Sequence, residues 1–108
     1  MKRKTIRNHK DFLTTPNDPS VTNLYFITKA KTALKQDARY GIIASKRIFK
    51  FAVQRNRAKR LLRDWIAFNE NLMLPGADYI FIARLPILNC SREEGRKKME
   101  DALKKISK

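Results

Sequence analysis

Ten carboxylates, one histidine and one cysteine in 108 residues leave little from which a protein-borne active site could be built. His9 stands alone, so nothing has the spacing of metal ligands and no base can be matched to a nucleophile. Two-metal nuclease chemistry needs converging carboxylates. The adjacent acids Glu93-Glu94 and Glu100-Asp101 instead share a lysine-rich segment whose charge they balance. The expectation is therefore no catalytic residue, no metal ligand, no cofactor held by the protein and no small-molecule ligand. Cys90 has no partner for an intramolecular disulfide and reads as a small buried or half-buried apolar residue. No apolar run reaches the length of a membrane span. The basic stretch Met1-Lys2-Arg3-Lys4-Thr5-Ile6-Arg7 is not followed by the apolar core of a signal peptide. A cytoplasmic protein with no membrane partner is expected.

What the chain has is positive charge. Twenty-five Lys and Arg against ten Asp and Glu leave a formal +15, a surplus that repels itself unless a polyanion supplies the counter-charge. Apolar residues still make up 43% of the chain, so this is a folding sequence and not a disordered basic tail. The length suits a single domain over residues 1–108. The surplus is also local. Residues 1–63 hold 17 basic and three acidic residues, whereas residues 64–108 hold eight and seven. Residues 38–63 carry nine basic residues and no acid, which points to one electropositive surface and to nucleic acid as its partner.

Residues 1–22 read as an N-terminal arm with a short helical turn around Asn8 to Leu13, then a loop that Pro16 and Pro19 keep out of regular structure. Leu24-Tyr25-Phe26-Ile27-Thr28 reads as a strand that ends in a polar stretch, and Arg39 to Ser45 as the next strand. Antiparallel pairing of these two is the simplest arrangement, although no Asn-Gly or Asp-Gly turn marks a hairpin. From about Phe51 to Leu74 the period changes to that of an amphipathic helix, which Pro75-Gly76 stops. The two Phe residues of Ile48-Phe49-Lys50-Phe51 read as core. Residues 78–84 form a nearly continuous apolar run, as expected of a strand covered on both faces. Ser91 then stands three residues before Glu94, a capping-box spacing that opens a second amphipathic helix.

On a helical wheel with Ala58 at zero, Leu61, Leu62, Trp65 and Ile66 fall within about 80°, while Asn56, Arg57, Lys59, Arg60 and Arg63 span roughly 100° to 260°. One face is core and the other cationic. An ordinary solvated face alternates its signs to gain pairs one turn apart. This one places like charges three and four residues apart, an arrangement that repels and that a phosphate backbone would offset. Four of the five cations between Arg55 and Arg63 are Arg, whose planar donors suit paired contacts with phosphate oxygens.

The block Arg55-Asn56-Arg57-Ala58-Lys59-Arg60-Leu61-Leu62-Arg63 resembles the arginine-asparagine-arginine signature of the bacterial ribonuclease P protein family. Upstream, Tyr40-Gly41-Ile42-Ile43-Ala44-Ser45-Lys46-Arg47 is similar to that family's strand ending in a small residue and two basic ones. Downstream, Asp78-Tyr79-Ile80-Phe81-Ile82-Ala83-Arg84 looks like its third-strand signature. The chain departs from the family after Asp11-Phe12, where Pro16 and Pro19 follow and the family's first helix would continue.

The resemblance implies an α+β fold: a two-layer α/β sandwich, a small sheet of three or four strands with helices packed on it, and a left-handed β-α-β crossover against the usual right-handed rule. It implies a protein subunit that binds the catalytic ribonuclease P RNA and the 5′ leader of precursor tRNA, with the RNA as catalyst and holder of the Mg2+ ions. Carried over by position, Lys46, Arg47, Arg55, Asn56, Arg57, Lys59, Arg60 and Arg63 would meet the RNA subunit. Phe12 and one of Tyr25 and Phe26 would line the leader cleft, since single strands stack their bases on exposed aromatics. Strand alternation sends one of Tyr25 and Phe26 into the core. The alternative is a structural or ribosomal RNA-binding protein without a processing role. A DNA-binding regulator would need a partner helix just before Arg55, where the sequence reads as strand and loop.

Overall fold

The computed structural model describes residues 4–5, 19–32, 39–74 and 77–106. Five strands form one mixed sheet: β1 (Lys4–Thr5), β2 (Ser20–Thr22), β3 (Phe26–Thr32), β4 (Arg39–Ile43) and β5 (Ala77–Ala83). Among the described residues, two helices, α1 (Ala52–Phe68) and α2 (Arg92–Ile106), accompany the sheet with two short 3-10 turns. The strand order is β1-β4-β5-β3-β2. The small sheet expected from the sequence is thus present and is lengthened at its edges by β1 and β2. Both come from the segment read as arm and loop, so that reading is corrected at residues 4–5 and 20–22. The helical turn expected around Asn8 to Leu13 lies outside the described residues.

The expected pairing of the first two long strands is also corrected. β5 lies between them, antiparallel to β3 and parallel to β4. Physically, β5 is the strand suited to the centre, because Asp78, Tyr79, Ile80 and Phe81, which alternate between its two faces, are all buried. β3 runs to Thr32, beyond the expected end at Thr28. It does so because Lys29 and Lys31 fall on one side of the pleat while Phe26, Thr28 and Ala30 fall on the buried side. The parallel pairing of β4 with β5 makes β4-α1-β5 a crossover unit. The segment between β4 and α1 is a single turn at Lys46–Ile48 and not a partner helix.

α1 buries Ala58, Leu62, Trp65 and Ile66, and α2 buries Met99, Ala102, Leu103 and Ile106, all against the face of the sheet that carries Phe26, Tyr79 and Phe81. The Phe26 ring lies 6.0 Å from that of Trp65 and meets Phe81 edge-on at 6.4 Å. α1 ends earlier than its periodicity suggested. Asn69 stops it by donating its side-chain amide to the Trp65 carbonyl and to the Arg96 carbonyl of α2, at 3.1 and 2.9 Å.

The Ser91 cap on α2 is formed, with the Glu94 amide donating to its Oγ at 3.2 Å. The reciprocal half of the capping box is not, because the Glu94 carboxylate accepts from Tyr25 instead. Cys90 is buried, and burial pushes its thiol above the usual range.

Candidate nucleic-acid interface

The turn leading into α1 is held from the helix itself. Arg55 donates Nη1 to the carbonyl of Phe49 at 2.8 Å and to that of Lys50 at 3.4 Å, while Gln54 reaches back to the Phe51 amide. Phe49 is fully buried and anchors this turn in the core. The Arg55 guanidinium therefore braces the entry to the helix, with its remaining donors at the edge of the cationic surface. No acid occupies the first turn of α1, so nothing of its own offsets the positive end of the helix dipole.

Beyond Arg55 the wheel is realised. Asn56, Arg57, Arg60 and Arg63 are exposed and Lys59 is half-exposed, opposite the buried stripe. Lys46 and Arg47 are exposed on the turn after β4, which Ser45 closes by accepting from the Phe49 amide at 2.9 Å.

Among the described residues, Asp64, Asp78 and Glu100 are engaged away from these cations. Asp64 accepts two hydrogen bonds from Arg96 of α2, at 3.1 and 3.2 Å, and Arg96 also lies over the Phe68 ring. Asp78 is buried and takes the backbone amide and guanidinium of Arg39, at 2.9 and 2.8 Å. Glu100 pairs with Lys104 one turn away, which holds its carboxyl below the usual range and the Lys104 ammonium above it. Among the described residues, no carboxylate is paired with Arg57, Lys59, Arg60 or Arg63.

The aromatic expectations fare differently. Phe12 lies outside the described residues. Phe26 has no exposed surface and is packed against Trp65, so it has no ring face for a base. Tyr25 is only 8% exposed, and its hydroxyl donates to Glu94 Oε2 at 2.6 Å. Alternation does not separate the two because β3 begins at Phe26. Tyr25 sits in the preceding turn, where Asn23 Oδ1 accepts from both backbone amides, at 2.8 and 3.0 Å.

Two features escaped the sequence reading. Phe51, taken as core, is 67% exposed at the start of α1, beside exposed Lys50. Strand register also places Ile27, Ile82 and Ile43 in one half-buried row across the sheet face opposite the helices, with Lys29 and Lys31 on the same face. The alternation of Ile with Lys in β3 was the signal for that row.

The ribonuclease P family model matches residues 1–107. The chain belongs to the ribonuclease P protein family. It is 34% identical to the ribonuclease P protein component of Bacillus velezensis over 108 residues, covering 98% of this chain and 91% of that one. The component from Pseudomonas entomophila is 48% identical over 46 residues, 43% of this chain and 34% of its own. Among solved structures, the ribonuclease P protein of Staphylococcus aureus superposes with a TM-score of 0.77 at 28% identity, over 95% of this chain and 94% of that one. That of Thermotoga maritima gives 0.79 at 25% identity, over 95% and 97%. Membership makes the chain a protein component of ribonuclease P, an endoribonuclease of tRNA 5′ maturation, and implies ribonuclease P RNA as its partner. Among the described residues there is no group of metal-ligating side chains and no helix long and apolar enough to cross a membrane.

Proposed function

We propose that the outer face of α1, with Lys46 and Arg47 at its edge, binds the phosphate backbone of ribonuclease P RNA, and that the protein presents the precursor tRNA leader to that RNA. The observation that carries this is the run of Arg57, Lys59, Arg60 and Arg63 along one helix face with no carboxylate partner among the described residues. Repulsion between like charges makes such a face costly to a lone protein, and phosphates remove the cost. In this reading the RNA is the catalyst and holds the Mg2+ ions. The protein supplies affinity and lowers the repulsion between two polyanions.

The leader assignment moves with the geometry. Because Phe26 and Tyr25 are buried, the surface suited to a single strand is the open sheet face, where the isoleucine row supports bases and Lys29 and Lys31 meet phosphates. Phe12, carried by the resemblance, remains assigned to that cleft. Phe51 adds an exposed ring at the end of the cationic face, available to stack on an unpaired base.

Reconstitution tests the whole. Added to ribonuclease P RNA at low magnesium, the protein should restore leader cleavage, whereas RNA binding without restored cleavage would favour a purely structural role. If α1 neutralises about five or six phosphates, the log–log salt slope of RNA binding should lie near about −4 to −5. Replacing Arg57 and Arg60 together by Ala should flatten it by about two. An unchanged slope would remove α1 from the interface.

A further inference from the structure

An open cleft of about 260 Å³ lies between the two helices, lined by Arg57, Arg60, Leu61, Asp64 and Arg92. Its composition suggests an internal salt bridge, but the geometry denies one. Both oxygens of Asp64 are held by Arg96, which does not line the cleft. Among the described residues, Arg57, Arg60 and Arg92 have no carboxylate partner. Nor do the acids following Arg92 line it, and Glu94 is already bonded to Tyr25. Three guanidiniums from two helices thus face a space several times the roughly 30 Å³ that one water occupies in the liquid. Leu61, half-buried, forms part of the lining.

We infer that this cleft seats a backbone phosphate of RNA, and that Arg92, outside the arginine-rich helix, is one of the groups that hold it. The inference rests on the reading of α1 as the RNA-binding face and extends that face onto α2. A guanidinium presents paired N–H donors that match phosphate oxygens. Arg57 and Arg60 stand three residues apart on one helix and Arg92 opens the other, so a phosphate between them is approached from two sides. That arrangement fixes position as well as charge, which a single helix face does not.

The test uses the full chain with Arg92→Gln, and with Lys105→Gln as a control that removes one exposed charge from the far end of α2. Binding is measured against salt, separately for ribonuclease P RNA and for precursor tRNA. Arg92 is exposed and has no partner among the described residues, so the circular dichroism of the variant should match the parent's. With the RNA that enters the cleft, Arg92→Gln should flatten the slope by about 0.7–0.9 and weaken binding about tenfold. Lys105→Gln should do neither. The RNA on which the change appears identifies the source of the phosphate. Equal behaviour of the two variants on both RNAs overturns the inference. If Arg57→Ala with Arg60→Ala still flattens the slope in that case, the cleft assignment alone fails; if it does not, the reading of α1 fails too.

Discussion

The hydroxyl of Tyr25 lies 2.6 Å from a carboxylate oxygen of Glu94, with the Cys90 thiol nearby, and this places a tyrosine suited to RNA stacking in a structural role. The hydrogen bond to Glu94 is the main cause that pushes the phenol from its ordinary 10.0 up to about 12, with burial adding to it. The fold thus favours the protonated phenol. Its contribution to stability is complete below pH 10 and is lost as pH rises toward 12. A spectrophotometric difference titration between the parent and Tyr25→Phe should show one phenolate step centred near 12. A step near 10 would mean that the contact with Glu94 does not persist in solution. RNA affinity should be nearly unchanged in the same variant, because the ring has no open face.

α1 and α2 meet where Gly95 packs on the indole of Trp65, and a Cβ at that position would overlap the ring. Alanine in mid-helix ordinarily gains about 1 kcal/mol over glycine. Here Trp65 is fully buried and has no room to yield. Overpacking of about 1–3 kcal/mol, set against that gain, should leave Gly95→Ala less stable by up to about 2 kcal/mol, seen as a lower urea midpoint with an unchanged m-value. A raised midpoint would show that the helices are not in contact at this point.

The glycine had no signature in the sequence, since its role depends on a tryptophan thirty residues away. The same division runs through the fold. Whatever is written in local period was legible: the cationic and apolar faces of α1, the apolar run of β5 and the Ser91 cap. What depends on partners distant in the chain was not. The insertion of β5 between β3 and β4, the loss of Glu94 to Tyr25 and the burial of both Tyr25 and Phe26 each needed three-dimensional neighbours. The candidate site divides likewise. Its helical cations were legible from spacing, while Arg92 joins them only because α2 begins beside α1.

For the molecule as a whole, the formal charge of +15 means that folding gathers like charges that the unfolded chain keeps apart. Among the described residues, the paired carboxylates Asp64, Asp78, Glu94 and Glu100 bind cations or a hydroxyl away from the outer face of α1, so their attraction does not relieve it. On that face Arg57–Arg60, Lys59–Arg63 and Arg60–Arg63 stand three or four residues apart. At a few tenths of a kcal/mol each, their repulsion comes to about 1 kcal/mol at low ionic strength. Raising salt from about 10 mM to 150 mM shortens the screening length from about 30 Å to 8 Å. The free protein should accordingly gain several degrees in Tm, since about 1 kcal/mol corresponds to roughly 4–8 °C in a domain of this size. Replacing Arg57 and Arg60 by Ala removes two members of the stripe, so the variant's Tm should respond distinctly less to salt. The same variant should bind RNA less tightly. Lower salt sensitivity in Tm together with a flatter RNA-binding slope would tie the strain on the free protein to the contact that relieves it. An equal rise in Tm for parent and variant would place the repulsion elsewhere on the surface.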